Sequence, residues 1–124
     1  MKRIVMSVAA CALLMPGFAA ANDQTFTGEI MDSQCAKNAS HAMMLKKEGH
    51  GDMDPNAPMA RKMCTENCVK MGGKYVLYSA AKKTVYEFDD QQKPADFAGQ
   101  KVKVTGTYDK TTKTIHVATI QPAS

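Results

Sequence analysis

Lys101-Val102-Lys103-Val104-Thr105-Gly106-Thr107-Tyr108, followed after the polar stretch Asp109 to Lys113 by Thr114 to Ile120, decides the fold class. Val102, Val104, Gly106 and Tyr108 alternate with Lys101, Lys103, Thr105 and Thr107. A period of two places one set against a core and the other in water, so the segment is a strand. With Asp109 to Lys113 as the loop, the two runs make a hairpin. Further back, Tyr75 to Ser79 and Thr84 to Phe88 read as strands around the turn Ala80 to Lys83. Lys93 to Gly99 is a connection whose Phe97 is expected to plug the core. Thr25 to Met31 opens the series, with Phe26, Gly28 and Ile30 on one face and Thr25, Thr27 and Glu29 on the other. The expected fold is mainly β: a five-stranded OB-like Greek-key barrel with a one- or two-helix insertion between strands 1 and 2. Closure hides edges that a flat five-stranded sheet exposes, and Gly28 and Gly106 suit the sharp bends of a small barrel. An open antiparallel sheet with two helices on one face is the alternative.

The insertion, about 36–73, is rich in Met, His, Lys and Ala. Ser40 is placed to cap a helix over His41 to Glu48, which Gly49 stops. A polar loop, Gly51 to Pro58, leads to a second helix over Met59 to Met71. Pro58 suits its first turn and Gly72-Gly73 its end. On that helix Met63, Cys64, Cys68 and Met71 adjoin and form a soft, apolar face.

The first residues carry a targeting pattern. Lys2 and Arg3 precede the apolar run Ile4 to Leu14, Met15-Pro16-Gly17 breaks it, and Ala19-Ala20-Ala21 offers small residues for cleavage before Asn22. This is the order of parts in a secretory signal peptide, residues 1–21. A lipobox-like Val8-Ala9-Ala10-Cys11 is the competing reading. The expected location is the periplasm or the cell exterior, with residues 22–124 as a single domain. The apolar run is too short to span a bilayer and no other segment approaches that length, so no stable membrane insertion is expected. Lys2 and Arg3 account for two of the four net positive charges. With that small balance and few aromatics to stack bases, nucleic acid is not an expected partner.

Several stretches carry a resemblance. Gly28-Glu29-Ile30-Met31-Asp32-Ser33-Gln34-Cys35, His41, and Cys64-x-x-x-Cys68 ahead of Gly72-Gly73-Lys74-Tyr75-Val76-Leu77 form its first part. Val102 to Thr107 completes it. Together they resemble a family of small secreted bacterial proteins with a domain of unknown function. The resemblance implies export and the OB-like fold and assigns no reaction. The Met-rich stretch Met43 to Met63 departs from it by being longer and softer.

Cleavage removes Cys11 and leaves three cysteines, Cys35, Cys64 and Cys68. An odd count in an oxidising compartment leaves one thiol over, or recruits all three to another task. Cys64 and Cys68 at i and i+4 on a helix hold their Cβ atoms roughly 5–6 Å apart, too far for a relaxed disulfide. Cys35 is then the partner of one of them. A Cys35–Cys64 bridge closes a loop of roughly 30 residues and contributes about 3–4 kcal/mol in the chain-entropy model. On this reading the protein is a non-enzymatic binding module, stapled by a disulfide, for a protein or small-ligand partner.

The alternative uses every thiolate. Cys35, His41, Cys64 and Cys68 make a Cys₃His set of the kind that holds zinc. Thiolate and thioether donors also favour Cu(I), and Met43 and Met44 are candidate extra ligands. Six of the ten methionines lie between 41 and 71. A thiol-based redox protein ranks third, because Cys64 and Cys68 lie inside a helix rather than in a Cys-x-x-Cys at its start. Asp32 is expected to cap a turn, Asp89-Asp90 to end a strand in solvent, and His116 to face outward. Gly-x-Ser-x-Gly, His-Glu-x-x-His and phosphate-loop patterns are absent from the sequence, so no catalytic residue is assigned.

Overall fold

The computed structural model describes residues 23–123, so the expected export signal lies outside the described residues. The alternating runs are all strands: β1 (Gln24–Asp32), β2 (Tyr75–Ser79), β3 (Thr84–Phe88), β4 (Lys101–Asp109) and β5 (Thr114–Pro122). They follow the order β1-β2-β3-β5-β4, and β4 pairs back to β1, so this mixed sheet closes in a ring. Pairing is antiparallel throughout except between β3 and β5, which run parallel through Glu87–Thr114 and Phe88–Ile115. The pairing of β1 with β4 sets aside the open sheet.

The insertion between β1 and β2 holds three helices, α1 (Ser33–Asn38), α2 (Ala42–Lys47) and α3 (Pro58–Lys70), where one or two were expected. The extra one starts directly off the strand. The Asp32 carboxylate accepts hydrogen bonds from the Gln34 N–H at 2.9 Å and the Cys35 N–H at 3.0 Å. An N-cap of this kind satisfies two of the orphan donors of a first turn. A fourth short helix, α4 (Gln92–Ala95), lies in the connection before β4. Asp90 Oδ1 accepts from the N–H groups of Gln92 and Lys93 at its start.

The end of α3 follows its glycines. The Gly73 N–H donates to the Cys68 carbonyl and the Gly72 N–H to that of Val69, while Gly72 takes φ +104°. This is a Schellman closure, and it fixes where the chain leaves α3 for β2. Gly28 and Gly106 sit where strands press together. A Cβ at either would run into a facing carbonyl, that of Tyr78 or His116, and β4 carries an irregularity between Thr105 and Gly106.

Two cores result. Inside the ring lie Phe26, Ile30, Leu77, Val102, Val104 and Ile115 with their neighbours, and Phe97 packs against them. Phe26, Tyr86 and Tyr108 form an aromatic trio with ring centroids 5.0–5.5 Å apart. Outside the ring, Met31 and Val76 point the other way from Ile30 and Leu77 and lie under the helices with Cys35, Leu45, Cys64 and Cys68. No helix among the described residues is long and apolar enough to cross a membrane.

Candidate functional site

Three local features bring the sulfur-bearing residues together. Asp32 launches α1 and places Cys35 in its first turn. Ala39, in the left-handed region at φ 52°, ends α1 and turns the chain toward α2. Ser40 Oγ then accepts from the Ala42 N–H, while the His41 side chain makes no cap bond and its ring turns inward. α3, opened by Pro58, buries Ala60, Cys64, Thr65 and Cys68 along the stripe facing the sheet.

The donor atoms of Cys35, His41 and Cys64 lie within 4.8 Å of one another, and so do those of Asp32, Cys35 and Cys68. Cys35 belongs to both groups, so the four residues named from the sequence are gathered at one buried place. The sulfurs of Cys35 and Cys64 are 3.5 Å apart, well beyond the ~2.05 Å of a disulfide bond. All three thiols are free and buried. His41 is 4% exposed; its Nε2 stands 3.4 Å from Glu29 Oε2, and its Nδ1 is buried without a hydrogen-bond partner. Arg61 Nε lies 3.3 Å from Glu29 Oε1, close enough to attract but not aligned as a hydrogen bond.

The charges divide unevenly over this cluster. Cys64 is drawn down to about 5, first by the hydrogen bond from Cys35 and then by His41, against the cost of burial. Burial opposes a charge on His41, but Cys64 and Glu29 outweigh it and raise His41 to about 9. Cys35 is pushed far up by its hydrogen bond to Cys64, by burial and by Asp32. Burial and then the Asp32 charge push Cys68 up to about 12. Among the thiols, Cys64 is thus the one whose ionisation the surroundings favour, with His41 as its cationic neighbour, while Cys35 and Cys68 are held back from ionising.

The methionines divide differently from the expectation. Met43 is 62% exposed, and Met59 and Met71 are exposed as well. Met44, Met53 and Met63 pack partly buried against the apolar cluster that holds the cysteines, as gap-fillers do. His116 faces outward beside Asp89 at 3.3 Å. Asp89 accepts from the Val117 N–H instead of ending its strand in solvent alone.

Glu29 and Arg61 are the site residues the sequence reading did not single out. Alternation puts Glu29 on the face of β1 opposite Phe26 and Ile30, and α3 packs over that face. A cleft of about 420 Å³ opens beside them, bordered by Gly28, Glu29, His41, Arg61, Tyr78 and Lys101.

No curated protein and no solved structure matches the chain. Residues 69–123, from the end of α3 through β5, are similar to a family described as a protein of unknown function (DUF5818), a match that begins one residue after Cys68.

Proposed function

We propose that this is an exported, non-enzymatic protein of OB type that binds a soft metal ion, Cu(I) foremost and Zn²⁺ as the other candidate. Cys35, His41 and Cys64 are the primary donors and Cys68 is the fourth. The ring order, with the third strand parallel to the fifth, supports the OB reading. One observation carries the metal reading: two sulfurs and an imidazole converge in a buried place with the sulfurs unbridged. Around a tetrahedral ion with bonds of about 2.3 Å to sulfur, neighbouring donors stand about 3.8 Å apart. The 3.5 Å between Cys35 and Cys64 is close to that edge. His41 fits as well, because Glu29 holds one ring nitrogen and the other is left without a protein partner. A carboxylate behind a ligating histidine is a usual way to orient the ring. A three-donor group is what the fold preforms, which suits Cu(I); a zinc tetrahedron draws in Cys68 from the neighbouring group.

The disulfide-stapled binding module is the second reading, favoured by the same proximity, since a small rotation of two side chains brings the Cys35 and Cys64 sulfurs within bonding reach. Thiol counting with metal analysis separates the two. Reduced protein exposed to Cu(I) or Zn²⁺ and then desalted is expected to keep one ion per chain and to show three thiols after denaturation. Cys64→Ser is expected to lose the ion. Protein with one thiol, or reduced protein that retains no ion, overturns the metal reading.

A further inference from the structure

The three sulfurs have almost no contact with solvent, their residues being at most 2% exposed. An ion must nevertheless reach them. One member of the donor group, His41, borders the 420 Å³ cleft, and so does Glu29, which holds its ring. The cleft is kept open by small residues, with Gly28, Ala39, Ser40, Ala80 and Ala81 on its walls. Its volume lies within the range of small-molecule sites, far more than a bare ion needs.

The charge of the cleft says in what form the ion arrives. Arg61 and Lys101 border it against one carboxylate, Glu29, and Arg61 already stands 3.3 Å from that carboxylate. Lys101 is exposed and is left as the uncompensated cation. A hydrated cation is repelled by such a mouth, whereas a metal carried in a small anionic complex is drawn to it. We propose that this cleft is the loading port of the thiol–histidine centre, and that it takes the ion as a small anionic complex docked by Lys101 and Arg61. The proposal rests on the metal-binding reading above.

Transfer is a ligand exchange with no change in oxidation state. The proton on the His41 nitrogen not held by Glu29 passes to the carrier or to water, and a bond from the ion to the carrier breaks as a bond to that freed nitrogen forms. The remaining carrier bonds are then replaced by bonds to sulfur, the thiol protons leave to the released carrier or to water, and the carrier departs through the cleft.

The test separates rate from affinity. Metal-free, reduced protein is mixed in a stopped-flow instrument with Cu(I) bound to glutathione, an anionic complex, or with Cu(I) as its cationic acetonitrile complex. Growth of the thiolate–copper absorption in the near ultraviolet reads loading. Lys101→Gln is expected to slow loading from the anionic complex about 2- to 5-fold at low salt. The effect should fade near 1 M salt, where screening is nearly complete, and loading from the cationic complex should not slow. Ala80→Trp, an exposed turn position, is expected to slow loading from both carriers several-fold. Neither change should alter the equilibrium affinity measured by chelator competition. Unchanged rates in a protein that still binds Cu(I) overturn the port and leave the metal reading intact. A wild-type protein that retains no Cu(I) at equilibrium overturns both.

Discussion

Asp32 is buried, and its two carboxylate oxygens receive the N–H groups of Gln34 and Cys35 at 2.9 and 3.0 Å. Replacing it by alanine removes the cap of α1 and leaves the buried Cys35 donor with nothing in its place. Loss of an N-cap costs about 0.5–2 kcal/mol, and a buried donor left unpaired costs about 1–3 kcal/mol. Because the two figures partly overlap, the expected loss for Asp32→Ala is about 2–4 kcal/mol. Asparagine keeps one oxygen acceptor, so Asp32→Asn should lose about half as much. Urea unfolding of the reduced, metal-free protein, followed by circular dichroism, reads both. The midpoint should move down while the slope stays constant, since the folded state remains as compact. Cys35 rides on this cap, so metal affinity in Asp32→Ala is expected to fall about 10- to 100-fold, the range found when a residue supporting a ligand is lost. The Asp32 charge also helps to hold the Cys35 and Cys68 thiols up, so removing it in the asparagine variant should make both easier to ionise. An alanine variant that loses less than about 1 kcal/mol, or an asparagine variant as damaged as alanine, refutes the reasoning, because the two accepted bonds would then not be what Asp32 supplies.

Gly99 and Gly49 form a matched pair. Both have positive φ, +74° and +81°, but a Cβ at Gly99 collides with the α3 backbone at Arg61 and Lys62, while one at Gly49 meets open space. Gly49→Ala should cost about 1 kcal/mol from backbone strain alone, and Gly99→Ala clearly more, with weakened metal binding as α3 shifts. Equal costs in thermal unfolding would deny the close approach. Asp89 is held below its ordinary value, since burial is outweighed by the Val117 N–H and by His116. A carboxyl depressed in the folded state contributes stability above its unfolded value, and that contribution is lost as pH falls through the lowered one. Asp89→Asn should therefore flatten the fall of Tm below pH 3.8, and an unchanged acid limb counts against it. Met43→Leu is expected to leave Cu(I) affinity in chelator competition unchanged, because the side chain is 62% exposed while the sulfurs of the cluster are buried. A tenfold loss would make Met43 a ligand.

The strands could be read from the sequence because each declares its period within a few residues. Val102 and Val104 turn into the ring and Lys101 and Lys103 away from it, as the alternation requires. The end of α3 was equally local, since Gly72-Gly73 supplies the backbone that the closure needs. The methionine stripe shows where periodicity stops being enough. Met71 is seven residues past Cys64 and shares its angular position, yet it is the C-cap just beyond α3, where the chain turns away, and is exposed. Helical phase tells which way a side chain points, and says nothing of whether a partner element extends that far.

Glu29 marks the same boundary from the other side. Alternation assigns it to the outer face of β1, a face that is wet in a bare barrel, and only the packing of α3 against β1 turns it into the carboxylate behind His41. The approach of α3 depends on Gly99, a residue far away in sequence whose missing Cβ lets the helix backbone settle. Cys35 and Cys64, 29 positions apart, meet for that reason rather than for any spacing between them. Residue types alone offered these cysteines a disulfide, a metal centre or a redox role, and did not choose among them. Which of them share one donor group, and which charged neighbours guard it, was fixed by three-dimensional packing: the Asp32 cap, the Ala39 turn and the Gly99 gap together set the position of every sulfur.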